Sequence, residues 1–139
     1  MAETYLKKRD FKQAETHYRQ AVGFDAEEPR ALTGLAWCIY SNPGRLEKER
    51  TAEAKKLLLE VLAKHKHGDA SYELALLLRK AGDDAGARKR MSDAHRMDPS
   101  HVEASRDVRL FDQRAKKVED ERLAARGLFE VIGDKFKTK

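Results

Sequence analysis

Two adjacent aspartates, Asp83-Asp84, a histidine flanked by acids, His95 between Asp93 and Asp98, a His-Lys-His run at 65–67 and a basic run, Arg88-Lys89-Arg90, are the residues here whose types could do chemistry. Paired carboxylates serve general acid-base catalysis, imidazoles near acids hold metals, and clustered arginines bind phosphates. Spacing argues against each. Neighbouring side chains on a helix point in different directions, and two acids before a helix suit its positive N-terminus as caps. His95 stands two and three residues from its acids, not the four that helical ligand pairs use, and reads as a solvated surface residue. His65 and His67 lack further ligands. The chain contains no phosphate-cradling glycine motif, and Cys38, beside Trp37 and Ile39, reads as an inert apolar thiol. No catalytic residue, metal or cofactor is expected.

Composition narrows the classes further. The chain has 139 residues, about one domain, with 29 basic and 24 acidic side chains and a net charge of +5. The basic runs are interrupted by acids and lack interleaved aromatics, so nucleic-acid binding is not expected. A single cysteine excludes an intrachain disulfide, and no apolar run approaches the roughly 20 residues of a membrane span. A cytoplasmic, membrane-free protein is the expectation.

The elements that would position any site are helices. Phe11, Ala14, Tyr18, Ala21 and Val22 mark one face, with Asp10 as N-cap. Pro29 starts the next, which carries Leu32, Leu35, Ala36 and Ile39 and stops at Ser41-Asn42-Pro43-Gly44. A third holds Ala54, Leu58 and Val61, and a fourth Tyr72, Leu74, Ala75 and Leu78. A fifth buries Ala87, Met91, Ala94 and Met97, and a sixth opens at a Ser100-to-Glu103 capping box and runs to about Leu123 with Val102, Val108 and Phe111 inward. The pattern repeats: Ala14, Ala54 and Ala87 share one place, and Tyr18, Leu58 and Met91 the next. The period is near 34 with about six extra residues within 41–50.

In these residues, in the "GD" turn at 82–83 and in the closing "DP" at 98–99, the sequence resembles the tetratricopeptide repeat family over about residues 2 to 100. The resemblance implies an all-α fold, a right-handed α-solenoid of about three helix pairs. The repeats would be 1–28, 29–67 and 68–100, followed by a capping helix at 100–123 and a short amphipathic or flexible tail at 124–139. That tail has Leu128, Val131, Ile132 and Phe136 on its apolar face. The resemblance also implies a non-enzymatic module that holds a protein or peptide partner in a concave groove. Groove positions fall at Arg30, Thr33, Trp37 and Tyr40, at Tyr72, Leu76, Arg79 and Lys80, and at Arg106, Leu110 and Arg114. Their apolar members would anchor the partner and their arginines would pair with its acids. The Lys and Asn set by which some co-chaperones clamp an acidic tail is not matched. The order of features is also similar to the C-terminal repeat modules of bacterial, myxobacterial-type regulators and J-domain proteins. The alternative is a scaffold that oligomerises by docking its tail in a neighbour's groove.

Overall fold

The structure is a computed structural model that describes residues 1–137, with side chains through Lys135. The described residues form seven helices and no strand: α1 (Ala2–Lys7), α2 (Phe11–Phe24), α3 (Pro29–Ser41), α4 (Glu47–Lys64), α5 (Gly68–Lys80), α6 (Asp84–Met97) and α7 (Val102–Lys137). Each helix packs on the next in the chain, and α3 also touches α5. Three antiparallel pairs therefore stack side by side. Ala2 to Lys7 supplies the short first member of the first pair.

The predicted small residues sit at the crossings. Ala14 and Ala54 are 0% and Ala87 is 1% exposed, while Tyr18, Leu58 and Met91 fill the space beside them. Three apolar clusters result, one for each junction: Tyr18, Leu35 and Ile39 between α2 and α3; Leu32, Leu58, Val61 and Leu74 among α3, α4 and α5; and Ala75, Met91, Ala94 and Ala104 among α5, α6 and α7. Two of the expected core residues miss these junctions. Ala21 is exposed and Val102 is 72% exposed, because each lies in a terminal turn of its helix beyond its neighbour's reach.

The turns recur as closely as the helices. Asp10 and Asp83 cap α2 and α6 with the same backbone angles, accepting from the Gln13 and Gly86 amides. The six extra residues of the middle unit are divided. Five residues instead of three separate α3 from α4, and α4 has 18 residues where α6 has 14, so four of the six became an added helical turn. Arg45 in that loop pairs with Glu53 of α4 at 2.6 Å and Arg19 of α2 pairs with the same Glu53 at 3.3 Å, tying loop, α2 and α4 together.

α7 departs from expectation. It does not end near Leu123 but runs 36 residues, roughly 54 Å at 1.5 Å per residue. Gly127 and Gly133 each weaken a helix by about 1 kcal/mol relative to alanine, but they do not stop it, since good helix formers surround them. Arg122 to Glu119 and Arg126 to Glu130 add stabilising pairs along its surface. Its cap is also different. His101, not Ser100, accepts the Ala104 amide through Nδ1 at 3.2 Å, while the Ser100 hydroxyl donates to Asp98. Of the expected tail face, Leu128, Val131 and Ile132 are exposed, and the Phe136 side chain lies outside the described residues.

Candidate functional site

The odd-numbered helices stand side by side, and a cavity of about 170 Å³ opens where α1, α3 and α5 face the same space. Glu3 and Leu6 come from α1, Arg30, Thr33, Gly34 and Trp37 from α3, and Asp69 and Glu73 from α5; Tyr18 of α2 and His67 complete the wall. At about 30 Å³ per water the cavity holds roughly five, a size for one side chain of a partner and not for a whole small molecule.

Tyr18 reaches this wall because α3 has a glycine opposite it. A Cβ on Gly34 would lie 2.2 Å from the Tyr18 ring, so the ring lies directly on the α3 backbone. Burial, with help from Glu3, pushes its phenol up to about 12. On the far side of α3, Cys38 is fully buried and donates to the Phe11 carbonyl at 3.3 Å. Burial raises that thiol to about 11, which keeps it protonated and unreactive.

Of the expected groove positions, Arg30, Thr33 and Trp37 are brought together here. Thr33 contributes less than expected: it is buried, and its hydroxyl donates to the Pro29 carbonyl at 2.6 Å. Arg30 is exposed and has no ion-pair partner among the described residues. Tyr40 lies a turn further on, 5.7 Å from the Trp37 ring, under the Lys80 ammonium, which also pairs with Glu47 at 3.3 Å.

The remaining positions lie toward α7. Tyr72 and Leu76 pack on the third cluster, Tyr72 with its ring 4.7 Å from His101. Arg79 and Arg106 share the buried Asp107 carboxylate at 3.8 and 3.4 Å. The expectation that they pair with a partner's acids meets an internal acid already beside them in the fold. Leu110 is 42% exposed, and Arg114 is exposed. His95 is not a solvated surface group either, since its Nδ1 lies 2.9 Å from the Ser105 hydroxyl and links α6 to α7.

The acids of the cavity are what the sequence reading missed. Glu73 has one carboxyl oxygen, Oε2, that is out of solvent and without a hydrogen-bond partner. Burial, reinforced by Asp69, holds its carboxyl well above the usual range. The Asp69 carboxylate itself lies 3.0 Å from His101 Nε2. A signal did exist: a shift of 39 residues carries Leu35 onto Leu74 and Ala36 onto Ala75, and the same shift carries Arg30 and Gly34 onto Asp69 and Glu73. Among the described residues no three His, Cys, Asp or Glu side chains converge to hold a metal, so these acids line walls and do not form a cage.

Among the described residues no helix is long and apolar enough to cross a membrane. No curated protein matches the sequence. In fold the chain is similar to the first repeat domain of human RPAP3, at 17% identity over 86% of this chain and 90% of that one, with a TM-score of 0.65. It is also similar to the first such domain of Spaghetti (RPAP3), solved with the HSP90 peptide SRMEEVD, at 16% identity, 83% and 87% coverage and a TM-score of 0.64. A third neighbour is YrrB, described as having an unusual peptide-binding site, at 18% identity over 76% of this chain and 52% of that one, with a TM-score of 0.62. The tetratricopeptide repeat pattern matches residues 1–50 and again 43–102, and this chain belongs to the tetratricopeptide repeat family.

Proposed function

We propose that the chain is a non-enzymatic interaction module that holds an extended peptide of a partner protein along α1, α3 and α5. The observation that carries this reading is the cavity where Trp37, a half-buried indole, stands beside an unpaired Arg30. Trp and Arg dominate interface energetics when a partner covers them. Trp37 would be the apolar anchor, and Arg30 would donate to a partner carbonyl or carboxylate. Tyr40, Tyr72 and Leu76 would extend the floor, and Arg106 and Leu110 would form its far rim. Family membership and the HSP90-peptide complex of one structural neighbour support the class of ligand. Placement in a larger bacterial regulator or co-chaperone, and a cytoplasmic setting, belong to the same proposal.

Trp37 is the only tryptophan, so its emission reports on the groove. Peptides selected from a random display library against the full chain should shift that emission on binding and lose at least about tenfold in affinity with Trp37→Ala, a typical loss for a truncated anchor. Selected peptides that bind Trp37→Ala as tightly, with helical circular dichroism unchanged, would place the binding face elsewhere.

A second reading, a scaffold that self-associates, is favoured by α7. Ala104, Val108 and Phe111, which dock α7 on the third cluster, continue at alternating steps of three and four through Ala115, Val118, Ala125, Phe129 and Ile132. The heptad stripe is broken only by Arg122, and Val118 and Phe129 on it are 64% and 75% exposed. The occupant this favours is the same stripe of a second copy, run antiparallel. A parallel partner would collide with the repeats already seated on the N-terminal end, whereas an antiparallel one sets Glu119 opposite Arg126 of the second copy. Sedimentation should then show a concentration-dependent dimer that Val118→Glu with Ile132→Glu dissolves. A monomer at every concentration would remove this reading.

A further inference from the structure

Taking the peptide-groove reading as given, we infer that the cavity between α1, α3 and α5 is a receptor for a cationic side chain, lysine or arginine, of the partner. Three carboxyl groups, Glu3, Asp69 and Glu73, line it against one guanidinium, Arg30. An acidic lining alone would say little. The pointed observation is Glu73, whose Oε2 is buried with no hydrogen-bond donor within reach, in a groove whose other buried polar groups are satisfied. A buried polar atom left unmet carries a desolvation cost, and a donor arriving with the partner would remove it. A cation satisfies it best, because it both donates to the carboxylate and balances its charge. Trp37 and Tyr18 on the same walls offer aromatic surface for the aliphatic stem or for a cation over a ring.

The same groups set a proton linkage. Glu73 faces Glu3 from α1, Tyr18 from α2, Arg30 from α3, and His67 and Asp69 from its own end of α5, and burial, reinforced by Asp69, shifts its carboxyl toward the protonated form when the groove is empty. A cation favours the ionised carboxylate. Binding of a lysine peptide therefore releases a proton, and affinity rises with pH toward neutrality.

The test uses one groove-binding peptide, selected as above, in versions carrying lysine, arginine, norleucine or glutamate at each position in turn. The acidic SRMEEVD peptide serves as control. Trp37 emission and calorimetry in two buffers of different ionisation enthalpy are read on the full chain and on Glu73→Gln, which keeps the side-chain shape. The expected result is one position at which lysine or arginine binds at least about tenfold more tightly than norleucine, a preference and a proton release both lost in Glu73→Gln. Peptides that shift Trp37 emission with no preference for a cation, or equally in Glu73→Gln, overturn the cation receptor and leave the groove standing. Tighter binding of the glutamate version or of SRMEEVD overturns it in favour of Arg30. If no peptide shifts Trp37 emission, the groove reading fails and this inference fails with it.

Discussion

At the scale of single residues, Tyr18 and Glu73 show how the cavity wall depends on exceptions to helix composition. Tyr18 can cross to the groove only because residue 34 has no side chain, so Gly34→Ala forces the ring off the α3 backbone. Overpacking of this kind costs about 1–3 kcal/mol, partly repaid by alanine's higher helix propensity. Urea unfolding should therefore show Gly34→Ala less stable by about 1 kcal/mol or more, with the Trp37 emission of the folded state altered as the cavity is reshaped. Glu73 yields a prediction whose sign follows from its raised carboxyl. A carboxyl raised in the folded state contributes its stability below the unfolded value, near pH 4, and loses it as pH climbs. Glu73→Gln removes that loss. Its melting temperature should exceed the parent's at pH 7 and match it near pH 4. A parent as stable as the variant at pH 7 would mean that Glu73 is ionised and satisfied.

The turns and helix ends divide what periodicity could and could not disclose. Small residues at Ala14, Ala54 and Ala87 and the Asp10 and Asp83 caps were legible, because close crossings and unpaired helix amides admit few residue types. The length of α7 was not, since a solvent-facing helix end is set by local pairs such as Arg126 with Glu130 and not by burial. The capping of α7 by His101 was equally hidden, the serine beside it being the commoner cap. One substitution between repeats carries a prediction. Gly82 adopts φ +87°, and the equivalent place in the first repeat is held by Arg9 at φ 60°. A left-handed arginine is strained by about 1 kcal/mol or more, which glycine relieves at some cost in unfolded-chain entropy. Arg9→Gly should raise stability by about 0.5–1 kcal/mol despite losing the contact of Arg9 with the Phe11 ring, and Gly82→Ala should lower it by a similar amount. Paired urea denaturation curves measure both.

For the whole molecule, the groove was legible as a face but not as a charge distribution. Helical spacing put Arg30 and Trp37 together, yet it could not show that Asp107 would already hold Arg79 and Arg106, or that Glu73 would be buried without a partner. Those depend on which side chains from α1, α5 and α7 meet across tens of residues. The same stacking makes stability a sum of neighbour interfaces, so damage at one end should stay near that end. Phe111 seats α7 on Ala75, Met91 and Ala94, with the Arg88 guanidinium 5.2 Å over its ring. Phe111→Ala removes most of that seat and should cost about 2 kcal/mol. The loss should open α7 and α6 first, because they have lost the interface directly, while α2 and α3 keep the cluster around Ile39 untouched. Amide hydrogen exchange should show α6 and the start of α7 accelerated many-fold and α3 nearly unchanged. Equal acceleration of α3 and α6 would mean that the stack unfolds as one unit, and that the groove between α1, α3 and α5 relies on the distant α7 seat for its integrity.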